Sequence, residues 1–245
     1  MKAKPARKPA IVSPAAWLTA RRKLLAAEKK FTRLQDKINA RRRALPWTRV
    51  EKDYTFESAK GRVSLAQLFG PHSQLIVQHF MFGPGWDEGC SHCSYMMDHF
   101  APTVPHLGAR DVAFAAVTHA PLKESQAFKK RMGWDVTWVS AHGTDFNTDF
   151  HVSFTREELA RGKVYYNYGE RAFPVEEAPG ISVFARDAKG AIYHTYSTFG
   201  RGVEIIMSTY RLLDIVPKGR DEENDDYGMQ WVRYHDEYET PRAIS

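Results

Sequence analysis

The chain of 245 residues holds two cysteines, Cys90 and Cys93, in the stretch "WDEGCSHCSYMMDHF". A lone Cys-x-x-Cys pair of this kind suits redox exchange or metal binding better than a structural staple. "QLIVQHFMF" (74–82), just before it, is a continuous apolar run expected for a strand buried on both faces. A short loop with Gly83, Pro84, Gly85 and Gly89 follows, and "CSYMMDHF" reads as a helix. Cys90 is therefore expected at a helix N-terminus. There, unsatisfied N–H groups and the positive end of the dipole favour a thiolate. Cys90 would attack a disulfide, and Cys93, one turn on, would resolve the mixed disulfide. An imidazolium at His92 would stabilise the thiolate further and make the disulfide more oxidising.

Metal chemistry needs more ligands than these two thiols. His99 and His119 could complete a zinc site, but the spacing fits no zinc-finger pattern and a second Cys-x-x-Cys is absent, so no metal is assigned. Asp145, Asn147 and Asp149 alternate as in a calcium loop, yet the required Gly and the later Glu are missing. No P-loop, dinucleotide fingerprint or serine nucleophile elbow is present, and no cofactor is expected. Trp86, with Phe82 and Tyr95, could line a substrate groove or belong to the core beside it. Asp87 and Glu88 read as loop acids facing the following helix terminus.

Patterning predicts the elements that would hold these thiols. Ser13-Pro14 is a helix start, Trp17, Leu24, Phe31, Ile38 and Leu45 recur every seven residues, and Pro46 ends the pattern. One amphipathic helix is expected over 14–45, packed on its own domain or pairing two copies. "WTRVEKDYTFES" and "KGRVSLAQLFG" read as a hairpin. After 74–82, a helix interrupted near Pro102 or Pro105, a strand (111–120), a helix (121–134) and a strand (135–141) follow. Residues 142–178 are irregular, "GISVFARD" and "AIYHTYST" form a hairpin, and 203–217 reads as a helix. Strands alternating with helices argue for an α/β fold with a mixed central sheet covered on both faces. The expected division is a disordered basic arm (1–12), the N-terminal helix (13–46), one domain (47–217) and a C-terminal extension (218–245).

The net charge of +6 is unevenly spread: residues 1–50 carry 15 Lys and Arg against two acids, whereas the rest carries 20 against 27. No nucleic-acid motif accompanies the basic part, so nucleic acid is not an expected partner. No apolar run reaches a membrane span and no signal-peptide pattern opens the chain, which makes the cytoplasm the expected compartment.

The strand, Cys-x-x-Cys and helix together resemble the thioredoxin-like superfamily, nearer its peroxiredoxin-type arrangement with a hairpin before the core. More closely, the chain resembles the bacterial DUF899 family through "VSPAAWLTARRKLLAAEKKFTRLQDKI", "QHFMFGPGWDEGCSHCS", "RMGWDVTWVS", "DFNTDFHVSF", "HTYSTFGRG" and "LLDIVPKGRDE". The resemblance implies a thioredoxin-like three-layer sandwich and a protein or small-molecule disulfide or thiol as substrate. It also implies a cis-proline beside the thiols, for which Pro179 is the match, with the Ala178 carbonyl holding an extended substrate. His79 falls where thioredoxins bury an acid, and could relay a proton for Cys93. A peroxidase is a weaker match: Asp87 stands where a Thr or Ser is needed, and Arg201 is the one candidate for orienting peroxide. A non-catalytic scaffold and a metal-binding protein remain open alternatives.

Overall fold

The computed structural model describes residues 9–223, 225 and 228–239. The expected arm is described only from residue 9, and part of the acidic run Asp221–Asp226 lies outside the described residues. The chain divides at Pro46 into two compact units.

The first unit is one helix, α1 (Pro14–Arg43), capped by Ser13, whose hydroxyl accepts from the Ala16 N–H at 3.3 Å. None of its residues is buried, and Trp17, Leu24, Phe31 and Leu34 are each more than half exposed.

The second unit runs β1 (Thr48–Arg49), β2 (Thr55–Ser58), β3 (Gly61–Ser64), α2 (Leu65–Leu68), β4 (Gln74–His79), α3 (Ser91–Phe100), α4 (Val104–Gly108), β5 (Val112–Thr118), α5 (Leu122–Arg131) and β6 (Thr137–Ser140). It continues with α6 (Phe146–Asp149), α7 (Arg156–Ala160), β7 (Val164–Tyr166), β8 (Gly169–Arg171), β9 (Gly180–Arg186), β10 (Ile192–Phe199) and α8 (Ser208–Leu213). A 3-10 turn at Ala101–Thr103, holding Pro102, separates α3 from α4. The predicted helix over 203–217 is shorter: a 3-10 stretch ends at Ile206, Met207 is extended, and α8 starts at Ser208. Val203, Ile205 and Ile206 are β-branched, which weakens a continuous helix there.

Eight strands form one sheet in the order β1-β10-β9-β4-β5-β6-β2-β3. β4, β5 and β6 are parallel, and the pairings of β9, β10, β1, β2 and β3 are antiparallel. On one face Tyr95, Met96 and Met97 of α3, Phe128 of α5 and Tyr210 of α8 pack against Phe114 and Trp138. On the other, Leu65 and Leu68 of α2 and Phe146 of α6 pack against Leu75, Val77 and Phe184. The architecture is the expected three-layer thioredoxin-like sandwich, with α3 leaving the C-terminal end of central strand β4. Residues 142–178 carry a small core of their own around Phe154 and Tyr166, joined by Phe199 of β10.

Candidate active site

Beyond β4 the chain is tied to the end of β5 and back onto itself before it reaches the thiols. Phe80 N–H donates to the Val117 carbonyl at 2.9 Å, Ala120 N–H to Phe82 at 2.7 Å, and Cys90 N–H to Met81 at 2.9 Å. Gly89 lies where a Cβ would stand 2.6 Å from the Phe80 ring and 3.0 Å from that of Phe128. The hydroxyl of Tyr234 donates to its carbonyl at 2.5 Å. This loop, and a partner from the C-terminal segment, sets Cys90 at the N-cap of α3.

Cys90 is partly exposed and Cys93 is buried, both as free thiols. The Cys93 thiol, followed by the N–H groups of Cys93 and His92, donates to the Cys90 sulfur and brings its pKa down to about 7 against the opposing effect of burial. Burial first, then the facing Cys90, pushes the Cys93 thiol well up. The Met81 N–H donates to Cys93 Sγ at 3.4 Å. One sulfur is poised to ionise near neutrality while its neighbour keeps its proton.

Three expectations about neighbouring residues are corrected. The His92 ring is turned to the C-terminal segment: its Nε2 lies 3.1 Å from the Met229 carbonyl and burial lowers its pKa, which disfavours the imidazolium, and its support for Cys90 comes from its backbone N–H. His79 points away from the thiols. Adjacent strand residues face opposite sides, and it is Gln78 whose Nε2 donates to the Cys93 carbonyl at 3.0 Å. His79 packs on Phe146 and Phe150, its Nε2 lies 2.7 Å from Ser182 Oγ, and burial, then His194, lowers its pKa to about 3. Pro179 is trans, as are all peptide bonds among the described residues.

Pro179 nevertheless shares a cavity of about 540 Å³ with Cys93, His92 and Met96, and its carbonyl accepts from Tyr166 Oη at 2.7 Å. Ala178 is buried in the core of the 142–178 segment, its N–H donating to Val152 at 2.8 Å. Arg201 also lines that cavity, paired with Glu204 at 2.8 Å. Trp86 lines a second cavity of about 390 Å³ with His119 and Glu177. Glu88 is paired with Arg131. Among the described residues no three His, Cys, Asp or Glu side chains gather as a metal-binding group. Nor is any helix among them long and apolar enough to cross a membrane.

Sequence reasoning missed Gln78, Glu177, Met229 and Tyr234. A polar residue near the end of an apolar strand was the available signal for Gln78. The other three are brought in by long-range packing.

Solved structures similar to this chain include a peroxidoxin, BcpB, from Mycobacterium tuberculosis, 13% identical over 69% of this chain and 97% of that one, with a TM-score of 0.43. Another is a mutant form of PrxQ from Xylella fastidiosa, 9% identical over 68% and 94% respectively, with a TM-score of 0.44. A third is a putative thiol:disulfide interchange protein, DsbE, from Chlorobium tepidum, 12% identical over the same shares, with a TM-score of 0.43. Among curated proteins no sequence matches this chain. Residues 6–238 match the family described as bacterial protein of unknown function, DUF899, and the chain belongs to that family.

Proposed function

We propose that this protein is a thiol–disulfide oxidoreductase acting through Cys90 and Cys93. The observation that carries this is the division of labour between the two sulfurs. Cys90 is partly exposed at the start of α3 with its pKa brought to about 7, and Cys93 is buried behind it with its pKa raised. The Cys90 thiolate attacks one sulfur of a protein or small-molecule disulfide, and the other leaves as a thiol. Cys93 then displaces the bound half and closes the Cys90–Cys93 disulfide, while a dithiol reductant returns the pair to thiols. Pro179 beside Cys93 gives the attacked disulfide a wall to lie along. A peroxidase is a poorer fit, because Asp87 precedes the thiolate and Arg201 is held by Glu204. We place the protein in the cytoplasm, where a lone Cys-x-x-Cys pair suits exchange.

A redox titration in graded dithiothreitol buffers, read by alkylation and intact mass, tests the proposal. The expected result is a reversible two-electron transition between roughly −270 and −120 mV. Failure of Cys90 and Cys93 to form a disulfide at any potential would sink it. Cys90→Ser should abolish turnover, and a scaffold would instead keep its partner binding in that variant.

A further inference from the structure

A carboxylate and an imidazole meet at the C-terminal ends of the parallel strands, and the exchange chemistry above leaves them unused. Glu177 is only 2% exposed. Its Oε1 lies 2.6 Å from His119 Nδ1, and its Oε2 accepts from Ser153 Oγ at 2.8 Å. A buried carboxylate needs such partners, and both of its oxygens have them. Because Nδ1 is engaged, Nε2 is the atom through which His119 exchanges a proton. His119 follows β5 directly, and Gly83, Pro84 and Trp86 belong to the loop from β4 to Cys90; all line the cavity of about 390 Å³. In open α/β sheets ligands bind outside these strand ends. The volume suits a small molecule or a side-chain segment. Two residues beyond Glu177 stands Pro179, which lines the cavity holding Cys93. Glu177 is also near enough to add to the upward push on the Cys93 thiol.

We propose that this cavity seats the departing half of a disulfide substrate and that His119, oriented by Glu177, gives its Nε2 proton to the departing sulfur. The step rests on the exchange function proposed above. Cys90 forms a bond to one substrate sulfur, the S–S bond breaks, and its electron pair leaves on the other sulfur. That sulfur takes the His119 proton and departs as a thiol, leaving a neutral imidazole that regains its proton from solvent. The hydrogen bond that His119 Nδ1–H donates to Glu177, outweighing burial, raises the His119 pKa, so the acid form persists toward neutral pH. Among the described residues, the other charged or titratable groups facing it are Glu176 and Arg156 on the cavity wall and His142, its ring centre 6.2 Å away. An alkyl thiol, with a pKa of about 8.5, leaves poorly as an anion. A nitrothiobenzoate anion leaves without a proton.

Single-turnover reduction of two probes tests this: bis(2-hydroxyethyl) disulfide, and the aryl disulfide 5,5′-dithiobis(2-nitrobenzoate). In His119→Asn the alkyl reaction should slow on the order of 100-fold, with the aryl reaction unchanged. Glu177→Gln should keep the alkyl reaction but move its high-pH limb to lower pH, since His119 loses the partner that raises its pKa. Equal loss for both probes, loss for neither, or an unmoved limb in Glu177→Gln would overturn the assignment. If the wild-type protein reduces neither probe, the exchange function itself fails.

Discussion

Cys90 owes its predicted reactivity to donors more than to a neighbouring cation. The largest of these is the Cys93 thiol, with two backbone N–H groups behind it. Iodoacetamide alkylation of wild-type protein should therefore rise with pH to a midpoint of about 7, as the thiolate forms. Cys93→Ala removes the main donor, so its curve should move to higher pH. His92→Ala removes a ring whose pKa burial lowers and leaves the backbone N–H in place, so its curve should stay where it is. A downward or absent shift in Cys93→Ala would refute this account of the thiolate. The types and spacing of Cys90 and Cys93 were legible in the sequence because both lie on one local element, whereas Pro179 was named only through the family resemblance. The phase of β4 was not legible: a shift of one residue exchanges Gln78 for His79 at the sheet face, and an apolar run gives no alternation to settle it. The His92 contact with Met229 joins residues far apart in sequence, which no local pattern encodes.

Among the elements, the loop from β4 to α3 shows how turn glycines can mislead. Gly83, Pro84, Gly85 and Gly89 look alike as turn formers, and Gly85 does take a left-handed φ of 76°. Gly89 is small for a different reason, the aromatic rings 2.6 and 3.0 Å from where its Cβ would stand. Gly89→Ala should cost about 1–3 kcal/mol, the range for overpacking a close-packed site. It should also disturb Cys90, whose N–H is tied to Met81 one residue on. Urea unfolding monitored with alkylation would check both, and an unaltered midpoint with an unaltered alkylation curve would refute the packing argument. The long helix was legible from its heptad period, the three parallel strands from short apolar runs bounded by turn residues, and the β9–β10 hairpin from its turn. β1 was not, since its two residues pair with β10 from the far end of the chain. Nor was the order inside 142–178, where the core closes only with Phe199 of β10.

At the scale of the whole molecule, the apolar stripe of α1 calls for a cover. The helix is 30 residues, about 45 Å, and Trp17, Leu24, Phe31, Leu34 and Ile38 lie exposed along it. Helices in proteins owe most of their stability to a packed apolar face. A second α1 with the same heptad supplies such a face, and we propose that the chain pairs through it. The pairing carries an electrostatic signature. Pro14–Arg43 holds ten Lys and Arg against two acids, so two such helices repel, and salt screens that repulsion. Residues 51–245 are net acidic, so a basic helix docked on an acidic surface would instead loosen with salt. Light scattering of the full chain should therefore show a dimer that tightens as ionic strength rises. Trp17→Glu with Phe31→Glu should give a monomer whose thiols alkylate like those of wild type, since Cys90 and Cys93 belong to the other compact unit. A monomer at every salt concentration would rule out pairing. A dimer that weakens with salt would rule out helix against helix, because attraction between unlike charges is the term that screening removes.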